Sequence, residues 1–287
     1  MKDIPTDQPD DLVVAGIPER AAAGDVLLTP EGTALADLPE GATVGTSSLR
    51  RGAQLLAQRP DLAVEPLRGN VDTRVAKLLA PSLQREHEAR MEAAEAGDGD
   101  GDADESEEDD DEDGPDFDRT VEEWFDGLAE IERRALERSV DVEYDAICLA
   151  AAGLDRSGLL HSLEYERLEP TAFVPAPGQG TIAVTAVDGD LAEQLNDVLD
   201  HPPTRVETTV ERTVLAELGG GCVAPVGVYA RLQGEVVTTA VRVLSQDGTE
   251  EVAETRDLPV ERHAEAARAL AADLAEDGAR ELVDAAK

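Results

Sequence analysis

The sequence predicts an α/β protein that ends in a small α+β domain. Three short apolar segments between residues 42 and 154 each precede a helical pattern, and this alternation is typical of a parallel sheet covered by helices. After residue 203 the order changes to a helix, three segments of alternating polarity and a last helix, which indicates an antiparallel sheet. The 287 residues provide enough chain for two or three domains of this kind.

The first part of the chain contains three strand-to-helix units. The predicted strands are ATVGT (42–46), LAVEPL (62–67) and YDAICLAAAGL (144–154). The helices that follow them begin at Ser48, at Val71 behind Asn70, and at about Ser157, and the first helix ends near Gln58 because Pro60 stops it. We therefore expect the carboxyl ends of the three strands to meet at one edge of a sheet.

The C-terminal part has its own pattern. A helix is predicted at about 205–218, and a final helix at about 260–286. Between them lie VGVYARLQ (226–233), EVVTTAVRVLS (235–245) and EEVAETRDL (250–258), separated by turn residues. We expect these three segments to form a three-stranded antiparallel sheet.

An acidic insertion at about 96–118 interrupts the α/β part. Of the 21 residues from Asp98 to Asp118, 14 are acidic, so the segment repels itself and has no apolar area to bury. We expect a disordered, solvated loop, flanked by helical patterns at 77–95 and 119–138. The sequence gives no functional account of this insertion.

The charge of the chain narrows the classes of function. The net charge is -39 and only three residues are lysine, a bias typical of proteins adapted to concentrated salt, which screens the repulsion between carboxylates. A nucleic-acid partner is excluded because the chain lacks a basic stripe. No apolar run reaches the ~18 residues of a membrane span, so we expect a cytoplasmic protein without a membrane partner. The spacing of the cysteines and histidines predicts no metal site.

Arginines follow each of the three predicted strands. A planar guanidinium binds carboxylates and phosphates in a bidentate manner, and hydroxyl groups beside a helix start add further donors. No phosphate-binding glycine motif is present, and PGQG (177–180) predicts only a turn. We therefore expect a site for a ligand with several carboxylates, formed by Thr46, Ser47, Ser48, Arg50, Arg51, Arg68, Arg74 and Arg156.

Cys222 follows three consecutive glycines, which let another molecule approach its backbone closely. Its thiol is a candidate nucleophile, but a single cysteine is more often a small buried apolar residue. Cys148 lies inside an apolar strand and is expected to be structural.

Four stretches in this order resemble the porphobilinogen deaminase family, also called hydroxymethylbilane synthases. They are KDIPTD (2–7), the segment from Val44 to Leu78 that contains GTSSLRR and LRGNVDTR, YDAICLAAAGLDR with PAPGQG (144–180), and ERTVLAELGGGCVAPVG (211–227). The resemblance spans nearly the whole chain apart from the acidic insertion.

The resemblance implies a transferase that joins four porphobilinogen molecules head to tail with loss of ammonia and yields hydroxymethylbilane. It implies a covalent dipyrromethane cofactor, held as a thioether by Cys222. It also implies that Asp3 acts on pyrrole nitrogens and stabilises the cation that forms when ammonia leaves. Acetate and propionate groups would be bound by Lys2, Ser48, Arg50, Arg51, Arg68, Arg74 and Arg156.

The resemblance also implies a domain layout: two periplasmic-binding-protein-like α/β lobes and a C-terminal domain that carries the cofactor. Residues 1–22 and 175–200 would be the remnant of an N-terminally truncated first lobe, since the family motif around Lys2 begins before Met1. Residues 23–174 would form the second lobe, and residues 203–287 the C-terminal domain. We expect a monomer. The alternatives are a non-catalytic two-lobed carboxylate-binding protein and an inactive truncated chain of the same family.

Overall fold

The computed structural model describes residue 1 and residues 11–97, 117–220 and 224–287. Lys2, Asp3, Cys222 and most of the acidic insertion lie outside these residues. The described chain divides into two compact units. One unit contains Met1–Arg68 and Ala146–Lys287, and the other contains Gly69–Asp145.

The strands and helices are numbered here in chain order. The strands are β1 (Leu12–Gly16), β2 (Asp25–Leu28), β3 (Thr43–Gly45), β4 (Ala63–Glu65), β5 (Ala146–Ala150), β6 (Tyr165–Arg167), β7 (Val184–Val187), β8 (Val226–Gln233), β9 (Val236–Leu244) and β10 (Glu251–Pro259). The helices are α1 (Leu49–Gln58), α2 (Val71–Gly97), α3 (Val121–Gly127), α4 (Glu130–Leu136), α5 (Ala151–Ser157), α6 (Asp190–Leu199), α7 (Pro202–Glu217), α8 (His263–Glu276) and α9 (Ala279–Ala285).

The α/β part is built on a five-stranded sheet with the order β4-β3-β5-β2-β6. The three predicted strands, β3, β4 and β5, are parallel to one another, with β3 in the middle. The sheet as a whole is mixed, because the additional strand β2 runs antiparallel to both β5 and β6. Neither β2 nor β6 was predicted, since DVLL and YER are too short for a recognisable period.

The boundary between β5 and α5 also differs from the prediction. Ala151–Ser157 is a helix rather than the end of a strand, and it stops at Gly158, whose φ of 71° closes the C-terminus. The run AICLAAAGL is apolar and buried through most of both elements. Periodicity therefore cannot distinguish a buried strand from a buried helix here.

The C-terminal part contains the predicted three-stranded antiparallel sheet, in the order β10-β9-β8. Helices α7 and α8 cover one face, and Val214 and Leu270 join Val228, Val241 and Leu258 in one buried core. Two proline residues start α7, where the missing N–H groups cost nothing. The predicted last helix is divided into α8 and α9 at Gly278, which has a φ of 99°.

A separate two-stranded antiparallel sheet pairs β1 with β7, with Leu12 opposite Val187. Helix α6 packs on it so closely that a Cβ on Gly16 would lie 2.8 Å from Cβ of Leu199. On the outer side of this sheet and helix, Val187, Leu191 and Val198 are 63–81% exposed.

The second unit contains α2, α3 and α4. The two patterns predicted from Val71 and over 77–95 form one helix that reaches Gly97, and the pattern over 119–138 forms two helices. Trp124 is buried, with the Arg90 guanidinium 5.3 Å from its ring centre. The Gln84 amide donates to the carbonyls of Leu136 and Arg138 and so ties α2 to the end of α4.

Within the described ranges, no helix is long and apolar enough to cross a membrane.

Candidate functional site

Arg50 and Arg51 lie in the first turn of α1, directly after β3. Ser48 caps this helix, since its Oγ accepts a hydrogen bond from the Arg51 backbone N–H at 3.4 Å. The cap fixes where the helix begins, and both arginines therefore point back over the sheet edge. Their side chains are buried, with only 4% and 6% of their surfaces exposed.

Asp25 lies between the two guanidinium groups. Its Oδ2 accepts from Nη2 of Arg50 at 2.8 Å, and its Oδ1 accepts from Nε of Arg51 at 2.9 Å. Nη2 of Arg51 is also 2.8 Å from Oδ1. Burial alone would raise the pKa of Asp25, but the two guanidiniums hold this pKa below its ordinary value. Asp25 is therefore a carboxylate, and the three side chains together carry one net positive charge.

Gln179 completes this network from the PGQG turn. Its Nε2 donates to Oδ1 of Asp25 at 2.9 Å, and its Oε1 accepts from Nη2 of Arg51 at 3.2 Å. Nε2 also donates to the carbonyl of Ala23 at 2.6 Å, and the residue is 1% exposed. The composition of PGQG predicts only a turn, whereas the structure places its glutamine in contact with Asp25 and both guanidiniums.

The network leaves some hydrogen-bonding capacity unused. Nη1 of Arg50 donates to the Val174 carbonyl at 2.8 Å, but Nε of Arg50 is buried and has no partner within the described part of the chain. The Gln54 side chain binds the same residue twice. Its Oε1 accepts from the Val174 backbone N–H at 2.7 Å, and its Nε2 donates to the Val174 carbonyl at 2.9 Å. The main chain at Val174 is thus fixed, and Arg50 cannot move without breaking this contact.

The other predicted site residues differ in their surroundings. Arg156 is exposed and donates to the Gly180 carbonyl of the PGQG turn at 2.8 Å. Ser47 donates from Oγ to the Leu67 carbonyl at 2.7 Å, and Thr46 Oγ1 accepts from the Ser48 backbone N–H at 3.3 Å. Arg68 is exposed at the end of the β4 loop. Arg74 belongs to the second unit, where its Nε donates to the Gly69 carbonyl at 2.8 Å.

Comparison with known proteins decides the family. Residues 1–94 and 129–194 match the family model described as porphobilinogen deaminase, dipyromethane cofactor binding domain, and residues 206–277 match that of the porphobilinogen deaminase C-terminal domain. The chain belongs to the porphobilinogen deaminase family. The acidic insertion lies in residues 95–128, between the two segments that match the cofactor-binding domain.

Curated relatives agree with this assignment. A probable porphobilinogen deaminase of Halobacterium salinarum is 51% identical to this chain. The match covers all of this chain and 79% of the Halobacterium protein. A porphobilinogen deaminase of Deinococcus deserti is 38% identical, and a probable one of Methanococcoides burtonii is 36% identical, over 74% and 73% of their lengths. The family consists of transferases of porphyrin biosynthesis, so the non-catalytic alternative is not favoured. The relative from Halobacterium is consistent with the high-salt composition.

A second buried ion pair was not predicted from the sequence. Arg20 donates from Nη1 and Nη2 to the carboxylate of Glu211, at 2.7 and 3.0 Å. The same carboxylate accepts from the backbone N–H groups of Gly178 and Ala230, at 2.6 and 2.9 Å. Because Arg20 Nε also donates to the Gln179 carbonyl at 2.9 Å, this pair holds the PGQG turn against α7 and β8.

Cys148 fits the structural role expected from the sequence. It is fully buried in the core of the five-stranded sheet, and burial raises the pKa of its thiol to about 12. We expect iodoacetamide at pH 8 to leave Cys148 unlabelled in folded Cys222→Ser protein and to label it after unfolding in guanidinium chloride. Intact mass measures both states, and labelling of the folded variant would contradict the inert thiol.

Proposed function

We propose that this chain is a porphobilinogen deaminase that condenses four porphobilinogen molecules to hydroxymethylbilane. The observation that supports this best is the buried cluster of Arg50, Arg51 and Asp25, whose net charge of +1 suits a carboxylate ligand. Each porphobilinogen brings an acetate and a propionate group, and buried guanidiniums bind such groups strongly because water does not compete. The sequence order of the motifs and the family match agree with this chemistry.

The dipyrromethane cofactor of the family fits the donors present here. Two linked pyrroles carry carboxylates, and the donor set at this edge of the sheet is cationic, with a buried Arg50 Nε still able to donate. When bound, the cofactor supplies the pyrrole end onto which substrate units are added. We assign the binding of its carboxylates, and of those of the growing chain, to Ser48, Arg50, Arg51, Arg68, Arg74 and Arg156, with Thr46 and Ser47 in a secondary role.

We assign the covalent attachment to Cys222. The chain has two cysteines, and the thiol of Cys148 is enclosed in the core with its pKa raised to about 12, so it is a poor nucleophile. Cys222 follows the family's glycine run and lies just after α7, the helix that carries Glu211. The burial of Cys148 and the position of Cys222 in the sequence therefore support attachment at Cys222.

The proposal assigns Lys2 and Asp3 to the reacting end of the substrate, on the basis of the motif KD-P. Loss of ammonia from the aminomethyl group leaves positive charge delocalised into the pyrrole ring. A carboxylate beside the pyrrole N–H stabilises this charge as it develops, and a lysine next to it binds a substrate carboxylate. Asp3 is thus the catalytic residue of the proposal.

We further propose two periplasmic-binding-protein-like lobes, with residues 1–22 and 175–200 in the first, residues 23–174 in the second, and residues 203–287 in the cofactor-attachment domain. The β1–β7 sheet is separate from the five-stranded sheet, which supports the division. From the sequence we also propose that the enzyme is monomeric and cytoplasmic.

The reaction has a stoichiometry that tests the proposal. Each condensation forms one carbon–carbon bond, releases one ammonia and returns one proton from the attacked ring, and water releases the finished product. We expect the purified protein, assayed in concentrated potassium chloride, to release four ammonia molecules per hydroxymethylbilane. Binding of porphobilinogen without release of ammonia would contradict the proposal and favour a carboxylate-binding protein.

A further inference from the structure

Asp25 is a buried acidic residue at the start of an otherwise apolar strand. It is the first residue of β2, opposite Ala150 of β5, and the next three residues of this strand, Val26, Leu27 and Leu28, are fully buried and apolar. Asp25 itself is only 1% exposed. Its carboxylate is therefore withdrawn from water beside Arg50 and Arg51.

Stability does not explain this carboxylate. Taking a carboxylate and two guanidiniums out of water is costly, and apolar residues of similar volume often replace buried ion clusters without loss of stability. What an apolar residue cannot do is fix the direction of two guanidinium groups. Asp25 does so with both oxygens, one bound to Arg50 and the other to Arg51 and Gln179.

The charges support the same conclusion. Arg50 and Arg51 are neighbours in one helical turn, and their like charges repel each other in a buried setting. Asp25 cancels one of the two charges, and the cluster then has the charge to bind one further carboxylate. Without Asp25, the two side chains would lose the anionic partner that they share, and the cluster would carry twice the net charge.

The geometry also leaves donors for a ligand. Asp25 and Gln179 engage Nη2 of Arg50 together with Nε and Nη2 of Arg51. Nε of Arg50 and Nη1 of Arg51 make no hydrogen bond with any residue in the described ranges. Arg50 is thus held at both Nη atoms and keeps its buried Nε, whereas Arg51 is held at Nε and Nη2 and keeps Nη1.

We propose that Asp25 is a positioning residue that holds Arg50 and Arg51 for a carboxylate of the cofactor or of the growing pyrrole chain. The inference depends on the proposed role of the two arginines. Asp25 touches neither cofactor nor substrate in this scheme, and acts only through the guanidiniums. Cofactor loading and KM distinguish a carboxylate of the cofactor from one of the growing pyrrole chain.

The test substitutes Asp25→Asn, which keeps the shape of the side chain and removes its charge. If the carboxylate belongs to the growing chain, KM for porphobilinogen rises about ten- to hundredfold with full cofactor mass, the range expected when charge-assisted hydrogen bonds are lost. If it belongs to the cofactor, the fraction of protein carrying the mass of two pyrrole units falls. Full loading together with unchanged KM would overturn the inference.

Leu27→Ala is the matched control, because Leu27 is buried in the same strand two residues further on. We expect it to lower Tm while leaving KM and loading unchanged. If Leu27→Ala changes KM and loading as much as Asp25→Asn at an equal loss of Tm, Asp25 is merely structural. Should Asp25→Asn fail to fold, Asp25→Glu decides, since it keeps the charge but displaces the guanidiniums, and an unchanged KM and loading would overturn the inference.

Arg51→Gln separates this inference from the proposed function. If Arg51→Gln leaves KM and loading unchanged, the arginines do not bind the carboxylates, and the proposed site itself is wrong. If Arg51→Gln impairs them and Asp25→Asn does not, only the role of Asp25 is refuted.

Discussion

Cys222→Ser is expected to abolish turnover of porphobilinogen and to remove the mass of two linked pyrrole units from the purified protein. A thiol of ordinary pKa is partly ionised near neutral pH and is intrinsically nucleophilic, whereas a serine hydroxyl is neither. The variant should therefore remain without cofactor even when porphobilinogen is supplied. Intact mass and ammonia release measure the two effects separately.

Cys148→Ser is the control for this substitution. Because Cys148 is buried in the core and its thiol pKa is raised to about 12, we expect this variant to keep the full cofactor mass and measurable turnover. The serine hydroxyl would be buried without a hydrogen-bond partner, so we expect the free energy of unfolding to fall by about 1–3 kcal/mol. Retention of the two-pyrrole mass in Cys222→Ser, with its loss in Cys148→Ser, would reverse the assignment of the two cysteines.

The parallel strands and their arginines could be predicted because the signals are local. The apolar segment before GTSSLRR is β3, Ser48 caps α1 as a serine at that position should, and the three predicted strands lie side by side. A shared direction places their carboxyl ends at one edge. The arginine side of the candidate site therefore follows from short-range pattern and sheet topology.

The partners of those arginines could not be predicted in the same way. Asp25 lies 25 residues before Arg50, and Gln179 lies 128 residues after Arg51, so no periodicity links them. DVLL is too short to show as a strand, and PGQG has the composition of any turn. Only the antiparallel insertion of β2 between β5 and β6 brings Asp25 to the arginines. An acidic chain also offers dozens of carboxylates, and nothing in the sequence distinguishes Asp25 from the others as the one buried between two guanidiniums.

Glu211→Ala is expected to destabilise the protein by about 3–5 kcal/mol, because it leaves the buried Arg20 guanidinium without its counter-ion. The carboxylate of Glu211 is fully buried and also accepts from the backbone at Gly178 and Ala230. One substitution therefore leaves two backbone N–H groups without a partner, and it leaves Arg20 only the more distant carboxylate of Glu207, 3.9 Å from Nη1. For a protein of this size, the loss corresponds to a fall in Tm on the order of 10 °C.

Glu143→Ala is the surface counterpart, since Glu143 pairs with Arg85 through side chains that are 70% and 64% exposed. Exposed pairs contribute about 0–1 kcal/mol, so its Tm should hardly change. Equal Tm values for the two variants would show that the Arg20–Glu211 pair contributes no more than a solvated one. A large fall for Glu211→Ala with a normal KM in the folded fraction would instead identify the pair as the structural tie between the PGQG turn and the helix that leads to Cys222. The arginine cluster would then bind substrate carboxylates without Glu211, and the orientation of its guanidiniums would depend on Asp25.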